Sequence, residues 1–100
     1  DSRYQRKDIF TEVQIYRIIQ EFTSNVIKHS EADEVSVYIR NHNGFLTLIL
    51  SDNGHSFDYK TASKGMGLKN IEARINSVKG LCKWKNRIGK GSRIIINIPF

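Results

Sequence analysis

A chain of 100 residues, 39% of them hydrophobic, has room for one domain with one core, which excludes two-domain readings. Its single Pro, seven Gly and 26% charged residues exclude collagen-like and low-complexity chains. Its longest apolar stretch, Phe45 to Leu50, falls far short of the ~20 residues that cross a bilayer.

Sixteen Lys and Arg against ten Asp and Glu give a formal charge of +6, which favours an anionic partner: a nucleotide, a nucleic acid or an acidic protein face. The chain starts at Asp1 and not at Met, so a piece of a longer protein is expected, with a membrane segment elsewhere in the parent left open. Cys82 is alone, and His29, His42 and His55 lie far apart, so neither a disulfide nor a zinc spacing is available; a cytoplasmic, reducing compartment is expected.

In chain order, residues 1–10 are expected to be a linker or a truncated strand, and residues 11–100 the folded domain. From about Thr11, a possible cap, Ile15, Ile18, Ile19, Phe22 and Val26 follow one helix face, predicting a helix to about His29. Val35, Val37 and Ile39 then alternate with polar positions. Asn43-Gly44 supplies a hairpin signal, and Phe45 to Leu50 reads as a second, more buried strand. Ser51 to Met66, rich in Gly, Asn, Asp and Ser, reads as a long functional loop. Leu68, Ile71, Ile75 and Val78 restore helical spacing, with Gly80 as a stop. Two last strands, Leu81 to Asn86 and Ser92 to Ile98, flank a turn containing Gly89 and Gly91. The predicted architecture is a two-layer α/β sandwich: a mixed, mostly antiparallel sheet with both helices on one face.

Three groups of residues carry chemistry. Glu21, Asn25 and Lys28 share one stripe of the first helix, next to its apolar face. A solvated flank would look similar, but a mid-helix Asn beside the core needs a partner, and carboxylate and amide oxygens are the hard ligands Mg²⁺ prefers. Asp52-Asn53-Gly54 follows the most buried strand. It is either a common turn or an adenine reader in which the carboxylate accepts from an exocyclic amine and Gly54 admits the ring. Gly65-Met66-Gly67-Leu68 opens the second helix, where backbone N–H groups and the helix terminus suit phosphate. It is not a Rossmann fingerprint, because Asn70 takes the third glycine position and no strand immediately precedes it. Gly89-Lys90-Gly91-Ser92 reads as a hairpin turn, since a strand and not a helix follows it.

The order of these motifs, E-x-x-x-N-x-x-K-H from Glu21 to His29, D-x-G from Asp52, G-x-G-L from Gly65 and G-x-G-S from Gly89, resembles the ATP-binding catalytic domain of bacterial sensor histidine kinases. The resemblance covers about Val13 to Phe100, and within the wider gyrase, chaperone, histidine kinase and MutL group it points to kinases with short lids. It implies that Asn25 coordinates Mg²⁺ and that Glu21 assists the metal or orients the attacking group. Lys28 and His29 would contact phosphates or ribose, Asp52 the adenine amine, and Gly54 would admit the ring. Gly65 and Gly67 would form the lid hinge against the triphosphate, with Leu68 of the same motif in the ATP-binding set, and Ser92 would lie near adenine through water. Ser56 departs from the pattern, standing where a second Gly is usual.

The same resemblance implies ATP and Mg²⁺ as ligands. The phosphoacceptor His would lie on a separate dimerisation domain of a homodimeric parent, with a response regulator as the further partner. This chain alone, expected to be monomeric, would not phosphorylate itself. Two other readings compete: a non-catalytic ATP-binding or docking module of the same fold, and nucleic-acid binding through the basic stretch Lys79, Lys83, Lys85, Arg87, Lys90 and Arg93 around Trp84. The basic stretch has no accompanying reader motif, so a solvated strand face or an acidic protein partner is expected there.

Overall fold

The structure is a computed structural model that describes residues 6–29, 32–54, 68–87 and 91–100. Helix α1 spans Arg6–His29 and leads into a hairpin of β1 (Val35–His42) and β2 (Phe45–Asp52). Helix α2 (Leu68–Ser77) follows, then a second hairpin of β3 (Leu81–Arg87) and β4 (Gly91–Pro99). The strands form one sheet in the order β1-β2-β4-β3.

All three pairings among the described strands are antiparallel, in a sheet expected to be mixed but mostly antiparallel. The crossover through α2 does make β2 and β3 run the same way, but β4 inserts between them, so no parallel pair forms among the described residues. The two-layer sandwich itself is the observed fold. Ile18, Phe22 and Val26 of α1, together with Ile71 and Ile75 of α2, join one buried cluster with the even-numbered residues of β2 and β4. The register opposes Leu46 to Ile98, Leu48 to Ile96 and Leu50 to Ile94, three apolar rungs in succession. Each such side chain adds roughly 1.5–3 kcal/mol on burial.

Helix α1 starts five residues before the expected Thr11. Nothing from Asp1 to His29 is Gly or Pro, and Asp8 in the first turn complements the helix dipole. The extra turns carry exposed Ile9 and Phe10, so burial periodicity could not reveal them. At the first hairpin, Asn43 (φ 50°) and Gly44 (φ 80°) adopt the left-handed pair that a two-residue turn requires. At the end of α2 the left-handed residue is Lys79 (φ 59°), not Gly80. Gly80 serves close packing instead: its N–H donates to the Ile75 carbonyl at 2.9 Å, and a Cβ there would stand 2.9 Å from Ile75 Cγ2.

Strand β1 is exposed along its whole length. Val35, Val37 and Ile39 lie on the helix side of the sheet, opposite Asp52, Leu50 and Leu48, yet neither helix covers that edge. No described helix is long and apolar enough to cross a membrane.

Candidate functional site

Four element ends meet at one edge of the sandwich. β1 begins there and β2 ends there, because Val35 pairs with Asp52. β4 also begins there, since Ser51 pairs with Arg93. The link from α1 into β1 is short, which brings the last turns of α1 to the same edge. Asn53 fastens that link: its Oδ1 accepts from the N–H groups of Asp33 (3.1 Å) and Glu34 (3.0 Å), and its Nδ2 donates to Asp33 Oδ1 at 2.7 Å. Sequence reasoning treated Asn53 as a spacer inside D-x-G. Asn53→Ala should lower stability by about 1–2 kcal/mol, read as a shift of the urea midpoint at unchanged slope.

At this edge the apolar rungs give way to polar residues. Beyond the rung of Leu50 and Ile94, the core-facing alternation of β2 and β4 continues to Asp52 and Ser92, both almost completely buried at 2% and 0% exposure. Asn25 of α1 is buried as well, on the side of the helix that carries Phe22 and Val26. Asp52 therefore ends strand β2 and does not lie in the loop after it, a correction to the expected loop start at Ser51. The turn signature of Asp-Asn-Gly concealed two further residues of ladder pairing.

The polar atoms here are arranged unlike an ordinary core. Asp52 Oδ1 accepts from the Gly54 N–H at 2.9 Å, so Gly54 holds the carboxylate in place. Asn25 Nδ2 and Ser92 Oγ are buried, and neither has a hydrogen-bond partner among the described residues. Such groups are rare in native cores because each costs about 1–3 kcal/mol. Gly91 (φ 99°) borders the same place: a Cβ would run into the Asp52 carbonyl and stand 3.0 Å from its Oδ1. Only glycine allows the two strands to approach this closely. The G-x-G-S motif contained Gly91, but its role became visible only with the strands assembled.

Glu21 and Lys28 fall together in a polar cleft of about 280 Å³ along α1, with Arg17, Gln20, Ser24 and, from α2, Arg74. Arg17 and Arg74 had no signal in the motifs. Gly65, Gly67, Ser56 and the expected lid loop lie outside the described residues. Leu68 is the first residue of α2 and His29 the last of α1; their side chains are likewise outside the described set. On the basic stretch, Lys83 and Lys85 alternate with half-buried Cys82 and Trp84 as a solvated strand face, and Arg93 donates from Nε to Ser51 Oγ at 3.1 Å. Burial pushes the Cys82 thiol up, with the Glu72 carboxylate adding to the effect, so Cys82 is not an activated nucleophile.

Residues 10–100 match the family model described as histidine kinase-, DNA gyrase B-, and HSP90-like ATPase. The chain is 36% identical over 92 residues to the signal transduction histidine-protein kinase/phosphatase DegS of Bacillus subtilis, covering 88% of this chain and 24% of that protein. It is 34% identical over 94 residues to the sensor histidine kinase ComP of the same organism, covering 91% of this chain and 12% of that protein. Among solved structures, the histidine kinase domain of the blue-light activated kinase EL346 from Erythrobacter litoralis superposes with TM-score 0.76 at 18% identity, covering 91% of this chain and 45% of that one. The Acinetobacter baumannii histidine kinase AdeS gives TM-score 0.73 at 22% identity over 86% of this chain and 45% of that one. These two likenesses concern the fold. With the family model spanning nearly the whole chain and histidine kinases as its relatives, this protein belongs to the histidine kinase-, DNA gyrase B- and HSP90-like ATPase family.

Proposed function

We propose that residues 11–100 bind Mg-ATP as the catalytic domain of a two-component sensor histidine kinase and supply the γ-phosphoryl group to a His on a separate dimerisation domain of the parent. The observation that carries this reading is the polar end of the core, where buried Asn25 and Ser92 atoms without partners adjoin a buried carboxylate and a glycine that no other residue could replace.

In this reading Asp52, fixed by Gly54, accepts the adenine amine, and Ser92 lies beside the ring. Asn25 presents its amide to the metal and phosphates, while Glu21 assists the metal or orients the attacking group. Lys28 and His29 take phosphate or ribose oxygens, and Gly65, Gly67 and Leu68 hinge the lid over the triphosphate. Bound Mg²⁺ would neutralise phosphate charge during transfer. The donor set suits that ion: Glu21 offers a carboxylate and Asn25 an amide oxygen, and Mg²⁺ is ordinarily held by one or two side chains plus substrate phosphates. The partners are then the parent's dimerisation domain, in a cytoplasmic homodimer, and a response regulator.

The acceptor imidazole must be brought to the γ-phosphate by another domain, because proximity supplies a large share of such rates. Incubation with γ-labelled ATP tests this. The chain alone should remain unlabelled, whereas adding the parent's dimerisation region should yield acid-labile, base-stable phosphohistidine. Efficient labelling of the isolated chain would overturn the division of labour. A complete parent that binds ATP but never labels a His would favour the non-catalytic docking module.

A further inference from the structure

The cleft between α1 and α2 gathers three cations, Arg17, Lys28 and Arg74, around one carboxylate, Glu21. Arg17, Glu21 and Lys28 share one stripe of α1, and Arg74 reaches over from the last turn of α2. The Arg74 guanidinium is only partly satisfied. Its Nη1 donates to Gln14 Oε1 at 3.1 Å, which pins the group between the helices, while its Nε is buried with no partner among the described residues. Arg74 also lines the cleft, where the rest of its guanidinium fork is available for a charge-assisted hydrogen bond to an anion. Three positive charges against one negative leave the cleft ready for a doubly charged group, and its walls are polar side chains throughout. At 1.5 Å per residue, the lining runs about 16 Å along α1 from Arg17 to Lys28, which lies one turn beyond buried Asn25.

We propose that this cleft is a phosphoryl-anion subsite in which Arg74 and Arg17 grip a terminal phosphate. The proposal rests on the nucleotide-binding reading and adds to it two residues that none of the recognised motifs contains. The phosphoryl group could come from the nucleotide tail or from free phosphate, and the two sources separate experimentally.

Affinities of ATP, ADP and AMP are measured by calorimetry for the unaltered chain, Arg17→Gln, Arg74→Gln and Arg74→Lys. If the nucleotide's terminal phosphate occupies the cleft, Arg74→Gln should cut the preference for ATP over ADP by about tenfold, as expected for loss of one charge-assisted hydrogen bond. Arg74→Lys should restore part of it. Because Arg74 also joins the helices, Arg17→Gln, at an exposed position, carries the test if Arg74→Gln fails to fold; it should reduce the same preference. Binding of inorganic phosphate without nucleotide, lost in Arg17→Gln, would assign the subsite to free phosphate. An unchanged ATP-to-ADP ratio in every variant, with no phosphate binding, would overturn the subsite while leaving ADP binding intact. Absence of all nucleotide binding in the unaltered chain would instead overturn the reading on which it rests.

Discussion

Asn25→Ala should reduce phosphohistidine formation in the reconstituted kinase by about 100-fold or more, the range seen when one preorganised polar group at a reacting phosphate or oxyanion is lost. It should weaken Mg-ATP much more than nucleotide titrated in excess chelator. Stability distinguishes a functional amide from a structural one. Asn25 Nδ2 is buried without a partner, and Ala is the better helix former, so the substitution should leave the urea midpoint unchanged or raise it. An Asn kept for packing would show the reverse, with stability falling and the metal dependence of binding unchanged.

Asp52→Ala should weaken ATP and ADP alike, by about 5- to 150-fold, which is the ~1–3 kcal/mol of a hydrogen bond to a buried charged acceptor. The equal effect on the two nucleotides follows from placing Asp52 at the adenine, away from the phosphates. Because Asp52 also accepts the Gly54 N–H, part of the loss will come from loosening the turn after β2. Unfolding measured without ligand gives that part separately, and the remainder belongs to recognition. An unchanged affinity would remove Asp52 from the site.

What the sequence could reveal depended on how local the signal was. The period of Ile15, Ile18, Phe22 and Val26 marked the buried face of α1, and Asn43-Gly44 marked a turn whose geometry only such residues adopt readily. Asn25 was identifiable because an Asn is unusual beside a core and Asp52 because it follows the most buried strand, whereas Ser92 entered only through the family resemblance; the fold buries all three at one edge. Features made by distant segments were not legible. Arg74 meets Gln14 across 60 positions of sequence, and Gly91 is needed only because Asp52 passes beside it. A local rule also misled: Asp-Asn-Gly looked like a loop although β2 runs through Asp52. The early start of α1 went unseen because its first turns bury nothing.

If the polar end of this core holds an adenine nucleotide, calorimetric titration of the chain with ATP, ADP and GTP in the presence of Mg²⁺ will show it. An ionised carboxylate can only accept a hydrogen bond, so it suits the amine of adenine and opposes the carbonyl that guanine carries at the same position. ATP and ADP should bind with micromolar to millimolar dissociation constants, and GTP at least about tenfold more weakly, since a site built for one hydrogen bond rejects a ligand that leaves it unpaired. Equal affinity for GTP, or no binding of any of the three, would contradict the account.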